Sequence, residues 1–227
     1  GGADAAQFAI NGTTGVLTFV SAPDFEVPTD IGSNNVYDVT VQVSDGAFTD
    51  TQGIAVTVTN VNESPVITSD GGGTTASVSA AENQTAATTV ASTDVDGGAP
   101  SYSIVGGGDA ALFTINASTG ALSFAAAPNY QAPADAGGNN VYDVTVQVAD
   151  GNGGTDTQAI AVTVTSVNDN APVITSDGGG ATATANVAEN QTTVTTVAAT
   201  DADLPAQTIT YSIVGGADAA LFTINAG

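Results

Sequence analysis

Asn34-Asn35-Val36-Tyr37-Asp38-Val39-Thr40-Val41-Gln42-Val43 returns without a change as Asn139 to Val148. Within it Tyr37, Val39, Val41 and Val43 alternate with Asp38, Thr40 and Gln42, which puts the apolar residues on one face of a β-strand. Ile54-Ala55-Val56-Thr57-Val58 alternates in the same way, and its counterpart is Ile160 to Val164. Phe113-Ile115 and Leu122-Phe124 flank Ser118-Thr119-Gly120, which reads as a hairpin turn. The abundant Thr and Val suit a half-buried pleated surface. Asp70-Gly71-Gly72-Gly73 and Asp177-Gly178-Gly179-Gly180 read as turns. No stretch has helical periodicity. Short strands with turns about every 8–12 residues predict an all-β chain of antiparallel β-sandwiches. Tyr102, Phe113, Phe124 and Tyr142 are the predicted aromatic core.

The self-similarity extends along the whole chain. Gly107 to Asn116 echoes Gly2 to Asn11 and recurs at Gly216 to Asn225. Pro65 to Asp70 returns at Pro172 to Asp177, and Ala81 to Thr85 at Ala188 to Thr192. The spacings are 109 − 4 = 105, 189 − 82 = 107 and 218 − 109 = 109 residues, the size of a compact β-domain. Residues 1–64 are then the back part of one repeat, 65–170 a complete repeat, and 171–227 the front part of the next. The opening Gly1-Gly2-Ala3-Asp4 reads as mid-protein sequence. Two arrangements fit this register. One is a piece of a longer linear array. The other is a subunit whose part-repeats complement each other head to tail, although residues 216–225 would then duplicate residues 2–11.

Composition narrows the chemistry. The 227 residues contain 23 Asp and Glu but no Lys, Arg, His or Cys, so the formal net charge is −23. Without basic residues there is no phosphate clamp, and nucleic acid is excluded as a partner. Without His or Cys there is no Ser-His-Asp triad, cysteine nucleophile or ordinary zinc site. No apolar run approaches the ~18 residues of a membrane span. Hydrophobic residues make up 42% of the chain, enough for real cores. What remains for chemistry is oxygen, which suits hard cations and above all Ca²⁺.

The acids gather in short motifs at predicted strand ends. They include Ala81-Glu82-Asn83, Asp94-Val95-Asp96, Asp24-Phe25-Glu26 with its neutral counterpart Asn129-Tyr130-Gln131, Val148-Ala149-Asp150-Gly151, and Ser166-Val167-Asn168-Asp169-Asn170. Clustered carboxylates with no cation repel one another, and alternating acids in a D-x-D loop can converge on one ion. In this order and spacing the motifs resemble those of the cadherin family, in particular the bacterial cadherin-like repeats of large surface adhesins. The resemblance covers the whole chain. It implies tandem Ig-like Greek-key antiparallel sandwiches in a linear array, with Ca²⁺ bound where successive repeats meet.

Carried over residue by residue, the resemblance implies a first junction of Asp24, Glu26, Asn62 and Glu63 with Asp94, Asp96 and Asp150. It implies a second junction of Glu82, Asn168, Asp169 and Asn170 with Asp201 and Asp203. Asp45 would serve a junction before the first part-repeat, and Glu189 is the equivalent of Glu82 in the last one. The sequence departs from the family pattern at Asn129 and Gln131, which are neutral. It departs also at the linker Asn60-Val61-Asn62-Glu63, which is one residue shorter than its counterpart. The first junction holds six carboxylates (24, 26, 63, 94, 96, 150) and the second four (82, 169, 201, 203). The second is therefore expected to bind fewer ions or to bind them more weakly; equal, full occupancy of both would refute this.

Other acids read as local structure. Asp70 and Asp177 are expected in turns, and Asp4, Asp109 and Asp218 as caps or turns. Asp30 to Asn34 and Asp135 to Asn139 are expected as solvated loops. The expected function is an extracellular structural or adhesive stalk stiffened by Ca²⁺, on a bacterial surface or secreted, with each repeat adding roughly 35–45 Å. Its partners would be neighbouring repeats of the same or identical chains, and a cell-surface glycan or protein bound through other domains. The alternatives are a Ca²⁺-dependent extracellular filament built head to tail and a Ca²⁺-dependent glycan-binding module. Enzymatic activity is not expected.

Overall fold

A computed structural model describes residues 1–225. The strands in chain order are β1 (Phe8–Ile10), β2 (Leu17–Phe19), β3 (Val36–Ser44), β4 (Thr49–Thr57), β5 (Val66–Ile67), β6 (Thr75–Ala81), β7 (Ala86–Thr89), β8 (Ser92–Thr93), β9 (Ser101–Gly106), β10 (Phe113–Ile115), β11 (Ala121–Phe124), β12 (Val141–Ala149), β13 (Thr155–Thr165), β14 (Val173–Ile174) and β15 (Ala199–Thr200). Helical structure among the described residues is limited to single 3-10 turns. The chain divides into two compact units. One joins Gly1–Val66 with Ser92–Pro100 and Ala149–Asp156; the other joins Ile67–Ala91, Ser101–Val148 and Thr157–Gly227.

In the first unit, β1 and β2 form an antiparallel hairpin that sets Phe8 opposite Phe19. β3 and β4 form a longer one from Val36↔Thr57 to Ser44↔Thr49. The Phe8 and Phe19 rings stack with centroids 4.6 Å apart, and Tyr37 meets Phe19 edge-on at 5.2 Å, arrangements that suit the aromatic quadrupole. The buried Tyr37 hydroxyl accepts the Thr29 N–H at 3.1 Å.

The second unit holds a two-sheet sandwich. One sheet runs β6-β13-β12-β9 and the other β10-β11-β7. Their inward side chains fill one core, which includes Tyr102, Phe113, Phe124 and Tyr142 as the sequence predicts. The ring geometry of the first unit is repeated, with Phe113 and Phe124 stacked at 4.6 Å and Tyr142 edge-on to Phe124 at 5.1 Å. The Ser118–Gly120 turn does join antiparallel β10 and β11. Gly120 has φ +69°, and a Cβ there would lie 2.0 Å from the Val90 carbonyl oxygen, so no other residue fits.

The all-β sandwich of antiparallel sheets is as expected; one pairing departs from it, because β6 runs parallel to β13 from Thr75↔Ala159 to Ala81↔Thr165. β6 follows the kink Asp70–Gly73, four successive residues with positive φ. Buried Gln158 holds that kink by donating Nε2–H to the Gly73 carbonyl at 3.1 Å. One expectation is corrected: in the loops around Asp30 and Asp135 the carboxylates are buried rather than solvated. Asp30 accepts the N–H groups of Asn34 and Asn35, and Asp135 those of Asn139 and Asn140. Desolvation pushes both carboxyls up, but these backbone donors outweigh it and hold them below the usual range.

Asp4 and Asp109 also do more than cap a local turn. Asp4 accepts the N–H of Ile31 at 2.7 Å and of Asp38 at 2.8 Å. Asp109 accepts those of Ala136 at 2.7 Å and Asp143 at 2.8 Å. Each buried carboxylate thus ties a loop to a long strand. Asp218 is exposed. Asp70 and Asp177 do sit in turns with positive φ, and each accepts a threonine hydroxyl, from Thr88 and Thr195 respectively.

Candidate metal centre

Three carboxylates predicted for the first junction come together in the first unit. Glu26, Glu63 and Asp96 each offer an oxygen, and these oxygens all lie within 4.8 Å of one another. That limit is about twice a Ca²⁺–oxygen bond of ~2.4 Å, so one ion can touch all three. Among the described residues no other group of three acids meets this geometry.

Each member is placed by its own backbone. The Asp24 carboxylate accepts the N–H of Glu26 at 3.0 Å and of Val27 at 3.1 Å, which closes a tight turn and fixes Glu26. Asp94 accepts the Asp96 N–H at 3.0 Å and shapes the D-x-D loop. Asp96 in turn accepts the Asn60 side-chain amide and the Glu63 N–H, both at 2.7 Å, which brings the linker to the loop. Asp24 and Asp94 therefore act here through their turns. Their carboxylates retain lone pairs for a cation.

Asp150 and Asn62 form the adjoining part of the site. Asn62 donates to Asp150 at 2.7 Å, while the other Asp150 oxygen accepts the N–H of Asn152 and Gly154. Asp45, the equivalent of Asp150, caps the exposed β3–β4 hairpin through the N–H groups of Ala47 and Phe48. The one first-junction donor that the ligand list omits is Asn60. Its place at the head of the linker was the available signal.

The electrostatics are those of an acidic cluster with no basic residue to offset it. Desolvation, followed by the charges of Asp96 and Asp24, pushes the Glu26 carboxyl above its usual range. Desolvation and the charges of Asp96 and Glu26 do the same to Glu63. Asp96 moves the other way, held low first by the Asn60 amide and then by the Glu63 N–H. Asp150 is held low first by Asn62. A cation binds the deprotonated carboxylates and must compete with protons. Because Glu26 and Glu63 take up protons above the ordinary glutamate value, Ca²⁺ affinity is expected to fall with pH and to begin falling above that ordinary value. Calorimetric titration at several pH values, in buffers of matched ionic strength, measures this. An affinity that stays constant as pH is lowered through the ordinary glutamate value of 4.5 would exclude the pair as ligands.

The residues predicted for the second junction lie in the second unit and use their oxygens differently. Glu82 is 1% exposed. Its two oxygens accept the Tyr130 and Val167 N–H groups, both at 2.8 Å. Asp203, also buried, accepts the Asn170 side-chain amide at 2.7 Å and the Asn170 N–H, and it contacts the Gln131 amide at 3.4 Å. The Asn170 contacts hold its carboxyl low. Asp169 accepts the amides of Asn83 and Asn170, and Asn168 donates to Gln207. Asp201 accepts the Asp203 N–H at 3.0 Å. Glu189 is exposed. Amides face carboxylates in both units, and only in the first do three carboxylates also converge among the described residues.

Comparison with known proteins agrees with this architecture. A family described as "Bacterial Ig domain" matches residues 62–163. The chain is 30% identical to human protocadherin Fat 1 over 234 aligned residues, which is 96% of this chain and 5% of that protein. It is 34% identical to mouse protocadherin Fat 4 over 127 residues, 55% of this chain and 2% of the relative. The chain thus spans a small fraction of the curated relatives it matches. Among solved structures, the protocadherin gammaB7 EC3–6 cis-dimer covers 97% of this chain and 54% of its own, at 23% identity and a TM-score of 0.67. Human CDH23 EC21–23 covers 88% of this chain and 62% of its own, at 22% identity and a TM-score of 0.55. Both share its fold. Among the described residues no helix is long and apolar enough to cross a membrane.

Proposed function

Because this chain is built of cadherin-like repeats, we propose that it is part of an extracellular adhesive or structural array that Ca²⁺ stiffens where one repeat meets the next. We read the repeats as residues 1–64, 65–170 and 171–227. The observation that carries the proposal is the convergence of Glu26, Glu63 and Asp96 within 4.8 Å. Glu26 and Glu63 belong to the end of one repeat and its linker, and Asp96 to the front of the next. Asp24, Asp94, Asp150 and Asn62 surround them. The donor set is all oxygen, which fits Ca²⁺.

What the residues do follows from this arrangement. Asp24 and Asp94 fix two acidic loops, and Asn60 and the Glu63 N–H draw the linker against Asp96. The cluster then holds negative charge that no side chain of this chain can neutralise. A bound cation would supply the missing positive charge and tie both loops to the linker. Without one, the acids push the same elements apart. At the second junction Glu82 and Asp203 are already satisfied by N–H groups and amides, and this supports weaker or lower occupancy there.

The role is mechanical rather than enzymatic, on a cell surface or in a secreted array. Extracellular modules of this kind bind Ca²⁺ at ~10⁻⁴–10⁻³ M, so such a chain would harden only outside the cell. Small-angle scattering with Ca²⁺ and then with excess chelator, at matched ionic strength, tests the proposal. Chelation is expected to broaden the distance distribution. An unchanged profile, with no calorimetric Ca²⁺ binding, would overturn it.

A further inference from the structure

We propose that Asn35 is a positioning residue of the metal centre, and that it aims Glu26 at the ion through the peptide group joining Phe25 to Glu26. The proposal rests on the Ca²⁺ reading above. Glu26 reaches the cluster from a turn of its own, between β2 and β3, so the three carboxylates converge only if that turn is held.

The peptide group that launches Glu26 is gripped at both poles by side chains. Its N–H, on Glu26, donates to Asp24 Oδ1 at 3.0 Å. Its C=O, on Phe25, accepts Asn35 Nδ2–H at 2.8 Å. A peptide group is rigid and planar, so what freedom it keeps is a rocking about the line between its two Cα atoms. A bond at one pole damps that motion, and a second bond at the opposite pole stops it. The Glu26 side chain then leaves the backbone in one direction.

Asn35 is itself immobilised. It lies at the entry to β3 and is 9% exposed. Asp30 Oδ1 accepts its N–H at 3.0 Å, and its C=O accepts the N–H of Val58, just past β4, at 2.9 Å. Asp4 holds the residue after Asp30 by accepting the Ile31 N–H. A rigid path thus runs from the β3–β4 hairpin to the Glu26 turn.

Two features tie the amide to this bond. Asn35 has φ +61°, a conformation that glycine adopts readily, so the backbone there does not call for a side chain. Its Oδ1 is shut off from solvent and has no partner among the described residues, which costs stability. What the side chain gives in return is its donation to the Phe25 carbonyl.

The complete repeat has the same arrangement around a neutral residue. Asn140 has φ +62°, donates to the Tyr130 carbonyl at 2.9 Å, and has a buried Oδ1 with no partner among the described residues. The Gln131 N–H donates to Asn129 Oδ1 at 2.8 Å. The residue aimed there is Gln131, which has no carboxylate. Asn140 is therefore a matched control, with the same structural role and no acid at the turn it holds.

Asn35→Gly and Asn140→Gly in the full chain test the proposal, because glycine keeps the backbone conformation and removes the amide. Calorimetric titration is expected to show Asn35→Gly weakening the tightest Ca²⁺ site about 10-fold and Asn140→Gly changing it less than about twofold, since outer-shell partners of a metal are typically worth 10–100-fold. Added to Glu26→Gln, Asn35→Gly is expected to cost less than about twofold more, because residues that act through one another are not additive. In chelator, with no metal present, the Glu26 amide of Asn35→Gly is expected to exchange with deuterium at least about tenfold faster than in the parent, read by NMR. Parent affinity in Asn35→Gly, equal losses from the two glycine variants, an undiminished loss in the Glu26→Gln background, or an unchanged Glu26 amide would each overturn this proposal alone. A parent chain that binds no Ca²⁺ overturns the metal reading, and this proposal falls with it.

Discussion

Replacing Glu26 and Glu63 together with glutamine is expected to weaken Ca²⁺ binding by at least about 100-fold, because losing even outer-shell partners of a metal typically costs 10–100-fold. The double substitution removes two of the three converging charges. It leaves in place the backbone bond from Glu63 N–H to Asp96 and the turn in which Asp24 accepts the Glu26 N–H. The variant should therefore be no less stable than the parent when both are in chelator. Desolvation, and after it the charge of Asp96, raises both glutamates in the folded chain, so their charged forms disfavour folding at neutral pH, and neutral glutamines remove that penalty. The expected signature has two parts. The parent's melting temperature rises with added Ca²⁺ while the variant's does not, and in chelator the variant melts at the same or a higher temperature. Calorimetry and thermal melts measure both. A variant that melts lower in chelator would show that the acids are structural and not ligands.

Glu82→Ala is expected to be the most destabilising single change in the complete repeat. The side chain is buried, and its oxygens satisfy the Tyr130 and Val167 N–H groups, 48 and 85 residues away. Alanine leaves two part-buried donors without their acceptor at about 1–2 kcal/mol each, the lower part of the range for a fully buried group, so about 2–4 kcal/mol in total. For a domain of about 100 residues, each kcal/mol lowers the melting temperature by about 4–8 °C, and a fall of at least about 8 °C follows. Glu189→Ala, the same change at the equivalent exposed position, is expected to stay within about 0.5 kcal/mol of the parent. Melts in chelator separate this structural role from any Ca²⁺ effect. A Glu82→Ala variant that lost stability only when Ca²⁺ was present would make Glu82 a ligand first.

The two glutamates show where sequence reading stops. Glu82 and Glu189 sit in the same Ala-Glu-Asn-Gln-Thr context, yet one is buried and doubly bonded and the other exposed. Only the later half of a repeat, folded over the first, buries this position.

The sequence by itself determined the strands and the repeat. Period-two alternation in Tyr37–Val43 and Ile54–Val58 is local, and so is the turn chemistry of Ser118-Thr119-Gly120; both came out as β3, β4 and the β10–β11 hairpin. The order of the acidic motifs was legible too, since it is a linear property of the chain. Tertiary structure decided what each acid does. An aspartate that caps backbone N–H groups and one that faces a cation both need only a short carboxylate near a turn, and spacing does not distinguish them. Asp30 and Asp135, expected in solvated loops, are buried behind N–H groups. Asp96 meets Glu26 and Glu63, which lie 96 − 26 = 70 and 96 − 63 = 33 residues away. The parallel pairing of β6 with β13 was likewise invisible, because alternation fixes a strand's faces but not its direction relative to a partner some 85 residues on.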